Sequence, residues 1–220
     1  MWKRFVTLAV ACGALLVGAP TFAAESEQAM PQAVTRLQTF LDGMITLQGR
    51  FTQRSEVAGS GDLQESRGQF AAFKPGKFRW DYESPTPQMI LSDGATLWFY
   101  EQELEQVTRV PAERMDQSPA TFLVNGGRIV DQFGWRVRHS DAWNADTVVL
   151  MPKSQEGAAA QYQEIAITLA PNKDAILNLE VTDNLGNRSY IFFQDMQRNE
   201  PIDKQKFQFT PPKGVDVIDG

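Results

Sequence analysis

The sequence predicts a mainly β domain: one large, curled antiparallel sheet, one long helix and a short helical insertion. Three observations lead there. Phe78, Trp80 and Tyr82 fall on every second position with Arg79, Asp81 and Glu83 between them, the period of a strand with one apolar face. Extended apolar segments are separated by turn chemistry, as at Ala58-Gly59-Ser60-Gly61-Asp62, Lys74-Pro75-Gly76 and Asp93-Gly94, which is how antiparallel strands connect. Only one long amphipathic helical stripe is legible.

The elements follow in order. Lys3-Arg4, the apolar run Phe5 to Ala19 and a small residue at Ala23 have the three-part layout of a secretory signal, so residues 1–23 are expected to be cleaved. The run is too short and too poorly flanked for a spanning helix. Cys12 would mark a lipoprotein signal, but Leu15, Leu16 and Val17 continue the apolar segment past it, and Ala9 stands where such a signal has leucine. Residues 24–220 then form a single domain without cysteine. Val34, Leu37, Leu41, Met44 and Ile45 make a helical stripe, with Pro31 suited to its first turn.

Strands are expected at 47–57, 63–73, 77–82, 88–91, 97–100 and 105–110. Ser118-Pro119 opens a short helical or irregular insertion through Phe122, Leu123 and Val124, which Asn125-Gly126-Gly127 ends. Strands return at 135–139, 147–151, 163–169, 176–182, 188–194 and 207–209, with Asn172-Lys173-Asp174 and Asn184-Leu185-Gly186 as turns. A sheet this long curls, and its concave apolar face needs a cover. The apolar helical segments at 33–45 and 119–124 are the candidates. Small barrels closed by short helices leave room for a ligand. From pattern alone, the aromatic face either packs a core or lines a cavity.

Enzyme readings find little support. The single histidine, His139, lies on the exposed phase of a strand with no orienting partner nearby in sequence. There is no Gly-x-Ser-x-Gly elbow, no phosphate-binding loop and no His/Cys set for a metal. Glu101, Glu103 and Glu105 alternate as if on one strand face, a pattern of solvated edge strands more than of paired catalytic carboxylates. The net charge is −6, falling to −8 once Lys3 and Arg4 leave with the signal. Such acidity argues against a nucleic-acid partner. No catalytic residue, cofactor or metal is expected, and binding is what remains.

The run Lys74-Pro75-Gly76-Lys77-Phe78-Arg79-Trp80-Asp81-Tyr82 resembles the basic-Pro-x-x-Phe-x-Trp signature of the outer-membrane lipoprotein carrier proteins, the LolA family. Ser92 to Tyr100, with Glu105-Gln106-Val107 after it, is similar to the next family block, and Phe207 to Val215 to the C-terminal signature. The similarity spans the chain after the signal, in order.

The resemblance implies an incomplete antiparallel β-barrel of about eleven strands, with an α-helical lid over a hydrophobic cavity. It implies a monomeric periplasmic carrier that receives lipoproteins from an inner-membrane ABC transporter, shields their acyl chains and delivers them to an outer-membrane receptor. Under it, Phe78, Trp80, Tyr82, Met89, Leu91, Leu97, Trp98 and Phe99 are expected to line the cavity, although alternation turns only half of the 89–91 and 97–99 runs inward. Leu37, Leu41, Met44, Phe122 and Leu123 would form the lid's apolar side. Lys74 would latch the lid where the family usually has arginine, with a flexible ammonium in place of a planar five-donor fork. A lipid-anchored receptor and a periplasmic lipoprotein sensor are the alternatives with this fold.

Overall fold

The computed structural model describes residues 30–112, 128–154, 162–171 and 175–220. The expected signal peptide, the 119–124 insertion with Phe122 and Leu123, and the Asn172-Lys173-Asp174 turn lie outside the described residues.

One sheet of twelve strands contains β1 (Thr46–Glu56), β2 (Leu63–Phe73), β3 (Lys77–Ser84), β4 (Gln88–Asp93), β5 (Thr96–Glu101) and β6 (Gln106–Pro111) in one wing. The other wing is β7 (Phe133–Ser140), β8 (Ala145–Pro152), β9 (Tyr162–Leu169), β10 (Ile176–Asp183) and β11 (Arg188–Arg198). Each wing is an antiparallel meander, and β1 pairs with β11 to join them. The final strand, β12 (Asp216–Asp219), adds to β6 in parallel. Among the described residues, the order β12-β6-β5-β4-β3-β2-β1-β11-β10-β9-β8-β7 leaves β12 and β7 as unjoined edges, so the barrel is incomplete.

Turn chemistry acts where the pattern placed it. Asp93 Oδ1 accepts from the N–H groups of Ala95 and Thr96, both at 2.8 Å, while Gly94 takes φ 97°, a conformation that glycine adopts without a Cβ penalty. Gly68 is needed for a different reason. A Cβ there would lie 1.9 Å from the Asp81 carbonyl oxygen and 2.9 Å from the Phe51 ring. The β2–β3 register shifts between Arg67 and Gly68, so the strand passes close beneath that ring.

Helix α1 (Gln32–Asp42) buries Ala33, Val34, Leu37, Phe40 and Leu41 and packs on β7 and β8. The helix ends at Asp42, so helical spacing no longer governs Ile45, which is exposed rather than in the stripe. Pro31 sits just before the helix, its carbonyl accepting from Val34 and Thr35. A one-turn helix α2 (Ile129–Gln132) precedes β7.

Two further expectations are corrected. Residues 207–209 are not a strand: a 3-10 turn, Lys204–Phe207, is capped by Asp203 and buries Phe207. That segment straps the outer face of the sheet, with Phe207 stacked on Phe73 and Phe209 against Trp98 and Tyr100. Glu101, Glu103 and Glu105 do not share a strand face either. Glu101 ends β5, and the other two occupy the turn to β6, where Glu105 has φ 49°.

Candidate functional site

The pairing register sorts the two faces of the sheet, because residues directly opposite one another share a face. On the concave side, Trp80 stands opposite Phe70 on β2 and Ile90 on β4, Phe78 opposite Ala72 and Ser92, and Tyr82 opposite Gly68 and Gln88. Ile90 is opposite Phe99, and Ser92 opposite Leu97. From β1 and β11, Phe51 and Phe193 face each other on the same side.

The rings interlock. Trp80 lies 4.7 Å from Phe51 and 5.3 Å from Phe70 between centroids, Phe193 is 5.1 Å from Phe70, and Tyr82 meets Phe51 edge-on at 5.1 Å. Phe78, Trp80, Leu97, Phe51 and Phe70 form one apolar cluster with Val34, Leu37, Phe40, Leu41 and Met44, and Tyr82, Ile90, Phe99 and Phe193 pack on it.

Met89, Leu91 and Trp98 lie on the other face. Leu91 is opposite Arg79 and Trp98, and Met89 opposite Asp81 and Tyr100. They are buried or half-buried because the C-terminal strap packs against this side of β4 and β5, and the Trp98 indole donates to Asp93 Oδ2 at 3.3 Å. The physical reason is the period of two: once Trp80 points inward, Ile90 does so and its neighbours cannot. Phe51, Phe70 and Phe193 belong to the concave cluster and escaped the sequence reading, while Ile90 is the inward member of the 89–91 run. Phe51 and Phe70 sit in strands whose other residues alternate weakly, so only the cross-strand partner identifies their face.

The concave surface grades from apolar to polar away from α1. Tyr82 Oη donates to Gln53 Oε1 at 2.9 Å, Gln53 Nε2 donates to Ser55 Oγ at 3.0 Å, and Ser55 meets Ser189 at 3.4 Å. Burial pushes the Tyr82 phenol from 10.0 up to about 12, since the phenolate would lose its hydration.

Helix α1 is tied to the sheet by polar contacts at both ends. Lys74 Nζ donates to the Leu41 carbonyl at 2.5 Å, Arg198 Nη2 to the Phe40 carbonyl at 3.0 Å, and Asn199 Nδ2 to the Gly43 carbonyl at 2.8 Å. The Arg198 guanidinium also lies over the Phe40 ring, 4.7 Å from its centroid. A Cβ at Gly43 would come within 2.5 Å of Arg198 Nη2, so glycine admits the guanidinium there. Two cations at a helix C-terminus meet its unsatisfied carbonyls and its negative dipole end.

Burial lowers the Lys74 ammonium below its usual value; Asp42 opposes that shift and Arg198 adds to it. Towards the other end, Arg36 Nη2 donates to the Ala170 carbonyl at 2.7 Å, and Gln38 Oε1 accepts from Ile129 N–H at 2.7 Å. Neither Arg198 nor Asn199 carried a local sequence signal, because the groups they hold are more than a hundred and fifty residues away.

His139 sits opposite Asp146 on β8 with Nδ1 3.3 Å from its carboxylate, and both side chains are about half exposed on the sheet edge. Among the described residues, no group of three or more His, Cys, Asp or Glu side chains could hold a metal. No helix among them is long and apolar enough to cross a membrane.

Comparison with known proteins agrees with this architecture. A family model described as outer membrane lipoprotein carrier protein LolA matches residues 42–210. An outer-membrane lipoprotein carrier protein of Chromobacterium violaceum is 32% identical over 94% of this chain and 97% of its own length. One from Methylococcus capsulatus is 37% identical over 90% and 91%, and one from Azotobacter vinelandii 33% over 93% and 96%. Among solved structures, an uncharacterized conserved protein from Thermus thermophilus shares the fold, with a TM-score of 0.53 at 13% identity over 86% of this chain and 98% of that one. The chain belongs to the LolA family of outer-membrane lipoprotein carrier proteins.

Proposed function

We propose that the protein is a periplasmic carrier, secreted by way of residues 1–23, that accepts lipoproteins released from the inner membrane and delivers them to the outer membrane. One observation carries the reading: an aromatic concave face clustered with a helix whose C-terminal carbonyls are held by side chains reaching from the sheet. Any apolar sheet face needs a cover; a carrier needs one that can lift, because its apolar surface must be hidden when empty and available when loaded.

The energetic need is large. Each exposed methylene costs about 0.8 kcal/mol, so acyl chains crossing water bare would cost tens of kcal/mol. Phe51, Phe70, Phe78, Trp80, Tyr82, Leu97 and Phe99 form the acyl-chain surface in this reading, and Leu37, Leu41 and Met44 are lid residues that give way. Lys74 is the latch, and Arg198 and Asn199 share the work with it. Closing contacts compete with cargo, which lets release proceed without a nucleotide. The donor is an inner-membrane ABC transporter and the acceptor an outer-membrane receptor, and the carrier catalyses no covalent chemistry.

Spheroplasts charged with a labelled outer-membrane lipoprotein, incubated with the purified protein, test this. Soluble one-to-one complexes in the supernatant are expected. Lipoprotein that stays on the membrane despite an active transporter and a folded protein overturns the carrier reading.

A further inference from the structure

We propose that the Trp80 indole N–H is a reserved hydrogen-bond donor for an ester carbonyl of the glycerol-linked acyl chains, so that the carrier reads the linkage as well as the hydrocarbon. The inference rests on the carrier reading above and adds a recognition element to it. Trp80 is buried, at 5% exposure, in the middle of β3 on the concave face, yet its Nε1 has no acceptor among the described residues.

The surroundings make this unusual. Phe51, Phe70 and Phe193 pack around the indole, and each fills space without carrying a donor. On the same face, Tyr82, Gln53 and Ser55 are committed to one another. On the opposite face, Trp98 satisfies its own indole with Asp93. Buried polar groups are nearly always paired, and one left open at a binding surface calls for a partner.

The cargo brings that partner. An O-acyl chain entering an apolar cavity carries a carbonyl oxygen that loses its water and needs a donor. The orphan donor and the orphan acceptor then satisfy each other in the loaded state alone. A free hydrocarbon or an ether-linked chain has no acceptor to offer, so the pairing selects ester-linked lipid while each component remains unsatisfied when apart.

The test uses the purified protein with indole nitrogens labelled, the Trp80 resonance being assigned by its loss in Trp80→Phe. A triacylated lipopeptide with ester-linked chains is compared with its diether analogue. The wild type should bind the ester form about tenfold more tightly, with a downfield shift of the Trp80 indole proton that the diether does not produce. Trp80→Phe should lose that preference and bind the two forms alike, whatever its overall affinity.

Equal wild-type affinity for the two lipopeptides overturns the donor role and does not need the variant to fold; a Trp80 indole proton that does not move overturns it as well. A Trp80→Phe protein weakened equally towards both lipids also overturns it, assigning Trp80 to packing. Failure of the wild type to bind either lipopeptide sinks the carrier reading itself, and the donor role with it.

Discussion

Lys74 and Arg198 hold the same end of one helix from opposite sides of β1. Lys74 follows the last residue of β2, Arg198 ends β11, and the two strands flank the start of β1. They donate to consecutive carbonyls of α1, Leu41 for Lys74 and Phe40 for Arg198. The hold on this end of the helix is therefore duplicated, and the planar guanidinium that a lone lysine lacks is supplied by the arginine across the strand.

Removing either cation should loosen α1 without unfolding the sheet. Hydrogen bonds to charged groups contribute about 1.5–3 kcal/mol each, so Lys74→Leu should raise hydrogen exchange at the C-terminal amides of α1 roughly tenfold or more. Cargo uptake should persist and hand-over should slow, because the open state is favoured and cargo is held longer. Arg198→Leu should do the same, and the double variant should exceed both. Normal transfer by Lys74→Leu would remove lysine from the latch.

The two faces of the sheet should separate in mutant behaviour. Phe70→Ala should cost about 3–5 kcal/mol and Leu91→Ala about 2–5 kcal/mol in urea unfolding, as cavities do in packed surroundings. Only Phe70→Ala should weaken acyl-chain binding, since Leu91 lies on the face that carries the C-terminal strap. A loss of lipid affinity in Leu91→Ala, measured on protein still folded, would contradict the face assignment.

Gly68→Ala should be among the most damaging single-methyl additions in the chain. The new Cβ would meet a backbone carbonyl, Asp81 O at 1.9 Å, which cannot rotate away as a side chain does. Overpacking typically costs about 1–3 kcal/mol, and a backbone clash of this kind should reach or exceed the upper end. Chemical denaturation against Gly134→Ala, whose nearest contact would be an ordinary 3.7 Å, gives the control.

Alkaline pH should destabilise the protein through Tyr82. Its phenol is raised from 10.0 to about 12 in the folded state, so between those values the folded protein binds more protons than the unfolded chain. The contribution is complete below pH 10 and disappears as pH climbs towards 12, on the order of 2–3 kcal/mol in all. Thermal melts across that window should show a falling Tm, with a shallower slope in Tyr82→Phe. An unchanged slope would mean that Tyr82 ionises as freely folded as unfolded.

Much of the architecture is readable from short-range pattern. Eleven of the strand positions, helix α1 and the hairpin at Asp93-Gly94 follow from alternation, helical spacing and turn residues acting within about ten residues of chain. The same reasoning failed where no local rule applies. The C-terminal Phe207-Gln208-Phe209 alternates like a strand, but its rings bind the outer face of β2 and β5 by way of Phe73, Trp98 and Tyr100, so packing overrides the pattern. The parallel pairing of β12 with β6 needs a partner more than a hundred residues distant.

Residue chemistry along the chain was sufficient to specify a β-rich domain, its helix and an aromatic sheet face, because each depends on neighbours a few positions away; the contact of Lys74 with Leu41 spans 33 positions. Which face each side chain took was left to tertiary structure: Ile90 inward and Leu91 outward, Phe99 inward and Trp98 outward, Phe51 and Phe193 meeting across β1 and β11. A period of two divides a strand into two sets but does not say which set faces in, and only cross-strand register breaks that tie. The second cation on α1 is of the same kind. Arg198 reaches Phe40 across 158 positions of sequence, and curling of the sheet is what brings them within a hydrogen bond.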